Sequence, residues 1–132
     1  MSEQRLPDTT IAPWLGVIDG DEAVEFYKAA FGAVEVYRLE GDDGKVAVAQ
    51  LKVGVAALWV QADADAGQAS GGEGSVRMIL TVDDPDTWFA VAIAAGATQI
   101  TPVGEEHGWR TGRVLDPFGH DWEFSKPVSG LH

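Results

Sequence analysis

The sequence predicts an α+β fold built from two βαβββ units in tandem, residues 10–61 and 75–127. The first observation is an internal repeat at an offset of 64 residues, in which Gly32 corresponds to Gly96. The second is that each copy has one helical pattern followed by β-rich runs. Residues 62–74 between the copies are rich in Ala, Gly, Ser and Asp and lack periodicity, which predicts a linker.

The same residue types mark the helix boundaries in both units. In the first unit, Asp19–Asp21 predicts a turn and an N-cap, and apolar side chains then recur at helical spacing until Gly32. In the second unit, Asp83–Pro85 opens the helix and Gly96 ends it, since glycine is favoured just after a helix.

Strands are predicted around these helices, with glycine-rich and proline-containing turns between them. The run Ile11–Ile18 opens the first unit as a strand in which Pro13 suits an edge position. Hairpin turns are expected at Gly41–Gly44 and at Asp116–Gly119. The other predicted strands are 34–39, 46–53, 56–61, 76–82, 98–101, 109–115 and 121–125.

Composition excludes several classes of function. With 132 residues, a single domain is expected, and the absence of cysteine rules out disulfides, thiolate metal sites and a cysteine nucleophile. A net charge of −12 disfavours nucleic acids and anionic membranes as partners. The polar N-terminus predicts no signal peptide, and no apolar run is long enough to span a membrane, so a cytoplasmic location is expected.

Two stretches resemble a known superfamily. Residues 23–33 read AVEFYKAAFGA, and residues 116–123 read DPFGHDWE. With the tandem units, they resemble the vicinal oxygen chelate superfamily of glyoxalase I, extradiol dioxygenases, fosfomycin-resistance enzymes and bleomycin-resistance proteins, and look most like its PhnB-like branch. The resemblance covers residues 10–127. It implies a cup of curved mixed sheets, usually completed in a homodimer, in which superfamily enzymes hold a divalent metal at four strand positions.

Aligned through the repeat, the four positions that the resemblance implies fall on Pro13, Trp59, Arg77 and Glu123. Only Glu123 offers a metal ligand, because arginine is a fixed cation and proline and tryptophan lack suitable donors. The sequence therefore predicts a protein without a metal cofactor, in which Arg77 and Glu123 form a salt bridge at the metal's place. If that pair is buried, leaving one partner alone costs about 3–5 kcal/mol.

The three histidines are expected in turns or at the end of the chain. His107 follows Glu105–Glu106 and is either a rim residue or, with one of those glutamates, a metal ligand, while His120 matches a turn position of the superfamily motif. His132 is the last residue. No arrangement of serine, histidine and aspartate typical of nucleophilic catalysis can be identified.

Five tryptophans raise the possibility of an aromatic binding site. Trp59 falls on a position that lines the cup, whereas Trp14 and Trp122 neighbour such positions and are expected on the other faces of their strands. Trp109 lies near a predicted rim. The fifth, on the second helix, is expected in the core. All the strand tryptophans also suit core packing.

Two arginines on the strand after Trp109 are further candidates for binding a ligand. Alternation puts Arg110 on one face of this strand and Arg113 on the other. Either guanidinium could meet an anionic group of a ligand, or pair with one of the many acidic residues of this chain.

Three functions remain open, and whether the protein is an enzyme is undecided. The first is a metal-free binding protein that forms a homodimer and holds a small aromatic or amphipathic molecule, as in drug sequestration. The second is a metal-dependent lyase or dioxygenase of the glyoxalase type that uses Glu123 with His107 or His120. In the third, the tryptophans fill the cup and the protein acts through protein partners.

Overall fold

The computed structural model describes residues 9–66 and 76–128, which form two four-stranded mixed sheets and two helices. Each sheet, with one helix, belongs to one half of the chain. The first half contains β1 Trp14–Val17, α1 Gly20–Phe31, β2 Val34–Glu40, β3 Val46–Val53 and β4 Ala56–Ala62. The second contains β5 Arg77–Thr81, α2 Pro85–Ala95, β6 Thr98–Glu106, β7 Trp109–Leu115 and β8 Asp121–Pro127. The predicted α+β fold of tandem βαβββ units is confirmed.

The two sheets have the same topology. Sheet 1 runs β1-β4-β3-β2 and sheet 2 runs β5-β8-β7-β6, with the first pair of each sheet parallel and the other pairs antiparallel. Among the described residues, no strand of one sheet pairs with a strand of the other. One face of each sheet packs on the helices, and we call the opposite face the open face.

Both helices begin and end where the sequence predicts. The side chain of Asp19 accepts a hydrogen bond from the backbone N–H of Glu22 at 3.0 Å, which caps α1. Asp84 caps α2 in the same way, with proline in the first turn. Gly32 follows α1 with φ 69°, a left-handed conformation that glycine adopts without strain.

A single aromatic core joins the halves. Phe31 of α1 packs against Trp122 of β8, with ring centroids 4.6 Å apart, and against Phe124 at 5.9 Å. Trp88 of α2 also contacts Phe124, as expected for a core residue of that helix. Through Phe31, the first helix therefore contacts the sheet of the second half as well as its own.

Asp116 is the polar centre of this core and is only 2% exposed. Its Oδ1 accepts the backbone N–H groups of Phe118 and His120, and its Oδ2 accepts Nε1–H of Trp122 at 2.8 Å and the hydroxyl of Tyr27. Burial, and then the charge of Asp116, raise the pKa of the Tyr27 phenol well above its usual value. These bonds connect α1, β8 and the turn between β7 and β8.

The internal repeat is less regular than the sequence suggests. Trp14 lies opposite Trp59, and Ile79 lies opposite Glu123, so the first strands correspond at an offset of 65 rather than 64. The offset returns to 64 at Gly32, because α1 is one residue longer than α2. The gap-free alignment is therefore wrong by one residue at the first strands.

Two strand boundaries differ from prediction by three residues or more. The first strand begins at Trp14 rather than Ile11, whose side chain is almost fully exposed. Strand β6 extends to Glu106 instead of ending at residue 101, because it pairs with β7 as far as their connecting turn. Residues 67–74 of the predicted linker lie outside the described residues, as does His132.

Within residues 9–66 and 76–128, neither helix is long and apolar enough to cross a membrane.

Replacing Asp116 by asparagine should strongly destabilise the fold. Either orientation of the amide directs an NH₂ group at existing donors, so buried hydrogen bonds are lost, at a cost of about 2–5 kcal/mol. Urea denaturation measures the change in the free energy of unfolding. Asp86→Asn, at an exposed carboxylate, is the matched control and should change it little. Equal effects of the two substitutions would contradict the role given to Asp116.

Candidate functional site

The open face of sheet 2 contains the ion pair expected from the sequence. Arg77 Nη1 donates to Glu123 Oε1 at 2.9 Å, and the Thr111 hydroxyl donates to Oε2 at 2.9 Å. The Arg77 side chain is 45% exposed, whereas that of Glu123 is 15% exposed. The pair is confirmed, but it is half exposed rather than buried. Its guanidinium is the accessible partner.

A recess of about 330 Å³ surrounds this pair. A second ion pair borders it, in which Arg113 Nη2 donates to Asp121 Oδ2 at 2.6 Å. Trp109 also lines the recess and is partly exposed, in agreement with its predicted place near a rim. The full lining is Arg77, Thr101, Glu106, His107, Trp109, Thr111, Gly112, Arg113 and Glu123.

Arg110 lies on the other face of β7, so it does not contribute to this recess. Its guanidinium makes two hydrogen bonds to Asp86 of α2, at 2.6 and 2.7 Å, and a longer contact to Glu105. Hydrogen bonding to Arg110 lowers the pKa of Asp86. The prediction that Arg110 binds a ligand is therefore not supported, because Asp86 in the first turn of α2 already neutralises the charge of its guanidinium.

The open face of sheet 1 is aromatic. Trp14 and Trp59 stack with their ring centroids 5.8 Å apart, and Tyr37 meets Trp59 edge to face at 6.1 Å. Gln61 accepts Nε1–H of Trp14 at 2.9 Å and so orients its indole. Trp14 is 54% exposed. We call Trp14, Tyr37 and Trp59 the aromatic cluster.

The cluster corrects the expectation for Trp14. The offset of 64 residues placed Pro13 opposite Trp59, so that strand alternation put Trp14 on the other face. In the structure, Trp14 itself pairs with Trp59 between β1 and β4, so both side chains lie on the same face. Pro13, assigned to the cup by the same offset, instead uses its carbonyl to accept the backbone N–H of Trp59. The error has one cause, the displaced register of the first strand.

Trp122 is not available to a ligand on the open face. It is 2% exposed and points into the core, with its indole N–H bound to Asp116. The prediction that Trp122 and Glu123 lie on opposite faces of the strand is confirmed. The prediction that Trp122 contacts a ligand is wrong. Strand alternation explains both facts, since Trp122 and Glu123 are neighbours in β8.

The described histidines occupy turns, as expected. His107 is exposed beside the recess, in the left-handed conformation with φ 53°, and lies 3.6 Å from Glu106. His120 Nε2 lies 2.8 Å from the carbonyl oxygen of Gly16, and thereby connects the second half of the chain to β1.

A sequence profile described as a glyoxalase-like domain matches residues 15–125. The chain belongs to this family. Curated relatives are 37% identical over 131 aligned positions. They are an uncharacterised protein of Mycobacterium bovis, with 92% of this chain and 85% of that protein covered, and one of Mycobacterium tuberculosis, with 92% and 76% covered.

Solved structures share the fold of the glyoxalase-like chain. TioX from Micromonospora sp. ML1 is 28% identical, with a TM-score of 0.73 and coverage of 91% of this chain and all of TioX. The fosfomycin resistance protein FosX from Mesorhizobium loti has a TM-score of 0.70 at 14% identity, covering 94% and 96%, and shares the fold. The assignment to a PhnB-like branch stays a prediction.

The donor set of this glyoxalase-like site does not fit a divalent metal. Glu123 is the single carboxylate among the positions that the resemblance implies, and both its oxygens already accept hydrogen bonds. The guanidinium of Arg77 would repel a cation at that place. In the part of the chain that the structure describes, no three histidine, aspartate or glutamate side chains are grouped to hold a metal ion. Several such ligands are normally needed.

Four residues of the two open faces were missed by sequence reasoning. Thr111 and Asp121 fix the positions of charged partners, and Tyr37 and Gln61 complete the aromatic cluster. Alternation along β7 and β8 could have indicated the first two, because they share the parity of Arg113 and Glu123. Tyr37 directly follows a register shift of β2 against β3, so alternation along β2 does not predict its face.

Breaking the Arg77–Glu123 pair should cost little stability. Because Arg77 is half exposed, we expect the coupling energy of the pair to be about 1 kcal/mol or less, well below the cost of breaking a buried pair. A double-mutant cycle of Arg77→Ala, Glu123→Gln and the combined variant measures it from urea denaturation. A coupling of several kcal/mol would show that the pair is desolvated and that this description of the open face is wrong.

Proposed function

We propose that this glyoxalase-like protein is a metal-free binding protein for a small planar aromatic or amphipathic molecule. The observation that carries the proposal is the aromatic cluster on an open face, where Trp14 is stacked, oriented by Gln61 and still more than half exposed. Exposed tryptophans of this kind favour stacking with flat ligands. Drug sequestration is one use of such a site.

The proposed binding site is a cup completed by a second copy of the chain. Within one chain, the sheets turn their helix sides to a common core, so neither open face is covered by described residues of the other half. Strands β1 and β5 stand at the sheet edges, where unpaired backbone groups favour association. In such a homodimer, each cup combines an aromatic face with an ionic one. A location in the cytoplasm is part of the same proposal.

Ligand binding is tested by substitution within the aromatic cluster. A screen of planar aromatic compounds by tryptophan fluorescence should find ligands, and Trp59→Leu should weaken their binding about tenfold, because stacking area is lost. Val91→Ala, on the exposed side of α2, is the control and should leave affinity unchanged. Ligands that bind Trp59→Leu as well as the native protein would refute an aromatic site on this face.

The alternative, a metal-dependent lyase or dioxygenase using Glu123, is tested by the metal itself. We expect Mn²⁺, Zn²⁺, Ni²⁺ and Fe²⁺ to leave the melting temperature unchanged and the purified protein to contain less than stoichiometric metal. Stabilisation by several degrees that Glu123→Gln abolishes would contradict the metal-free proposal and favour the enzyme hypothesis. Elemental analysis and thermal unfolding give the two measurements.

A further inference from the structure

We infer that Arg77 is an anion receptor and that the molecule bound by this protein is an aromatic acid. The inference rests on the proposed aromatic site and specifies the polar group of its ligand. It starts from the position of Arg77, whose fixed positive charge lies on an open face beside the carboxylate that the superfamily resemblance assigns to a metal. At this position the positive charge is that of the Arg77 side chain.

The ion pair is arranged so that its cation faces outward. Glu123 is largely covered, and its two oxygens accept hydrogen bonds from Arg77 and Thr111. The Arg77 side chain is three times as exposed as that of Glu123, and it lines the recess. The carboxylate therefore orients the arginine, and a ligand approaching from the open side meets donors rather than acceptors. Guanidinium groups match carboxylates and phosphates in geometry.

The other charged groups around the recess leave Arg77 as its accessible cation among the described residues. Arg113 gives both Nε and Nη2 to Asp121 and is the less exposed of the two arginines. Glu106, an exposed carboxylate, lies at the rim with His107. The net charge of −12 does not prevent anion binding at contact distance, since charges beyond about 8 Å are screened at physiological salt.

The recess that contains this cation also has an aromatic wall from the same chain. Trp109 is 39% exposed and lines the same recess as Arg77. A recess of about 330 Å³ suits a small ligand. A planar molecule with one anionic substituent can therefore stack on an indole and place its carboxylate on the guanidinium. A neutral or cationic analogue of the same shape lacks the second contact.

Three isosteric probes test the inference by isothermal titration calorimetry: 2-naphthoate, 2-naphthamide and 2-naphthamidine. The native protein should bind the anion about tenfold more tightly than the amide, because a charge-assisted hydrogen bond is stronger than a neutral one. The amidine should bind most weakly. Arg77→Gln should abolish the preference for naphthoate and leave the affinity for naphthamide unchanged.

Arg110→Gln is the matched control. It removes an ion-paired arginine from β7 on the helix side of the same sheet, so the preference for naphthoate should persist. Glu123→Gln gives an independent check, because the amide oxygen can still accept the hydrogen bond of Arg77 while the competing negative charge is removed, which should raise the affinity for naphthoate. Thermal unfolding of each variant verifies that it is folded.

The outcomes separate this inference from the proposed function. Equal binding of naphthoate and naphthamide by the native protein would overturn the anion receptor and leave the aromatic site standing. An equal loss of both probes in Arg77→Gln would also overturn it, since that result assigns Arg77 a structural role. Binding of none of the three probes by the native protein would count against the aromatic site and the anion receptor together.

Discussion

The rest of this structure depends on the hydrogen bonds that the buried carboxylate of Asp116 accepts. It accepts hydrogen bonds from Tyr27 of α1, from the indole of Trp122 and from its own turn, so that it joins the two halves of the chain. Trp122 and Glu123 are neighbours in β8, and successive side chains of a strand point to opposite faces. Holding the indole inward therefore holds the Glu123 carboxylate outward. A core interaction thus determines what the open face of sheet 2 presents.

What the sequence could predict depended on whether the determining interactions were local. Helix ends followed from capping residues such as Asp19 and Gly32, because a cap acts within a few residues of itself. The opposite orientations of Arg110 and Arg113 followed from alternation along one strand. The ion pair of Arg110 with Asp86 could not be predicted in this way, because Asp86 lies on a helix that is distant in the chain. Strand β1 was misplaced because an extra residue in α1 is invisible to a gap-free repeat.

An ion pair and a metal ion differ in what they can recognise. A divalent cation attracts oxygen ligands from several directions, whereas the guanidinium of Arg77 is planar and carries one charge that Glu123 already offsets. Discrimination among anions must therefore come from hydrogen-bond geometry and from the aromatic surface nearby. This explains why Thr111 matters: its hydrogen bond keeps Glu123 in place and thereby fixes the direction of the arginine.

The difference between the two open faces bears on how copies would associate. The open face of sheet 1 carries the aromatic cluster, and that of sheet 2 carries the two ion pairs. If equivalent faces met, aromatic rings would cover one another and the guanidinium of Arg77 would face another guanidinium. If sheet 1 of each chain instead met sheet 2 of the other, this repulsion would be avoided. Each face would then be used once, and the symmetric pair would contain two equivalent cups. Each cup would then offer indole surface from one chain and a guanidinium from its partner, which is the combination that an aromatic acid requires.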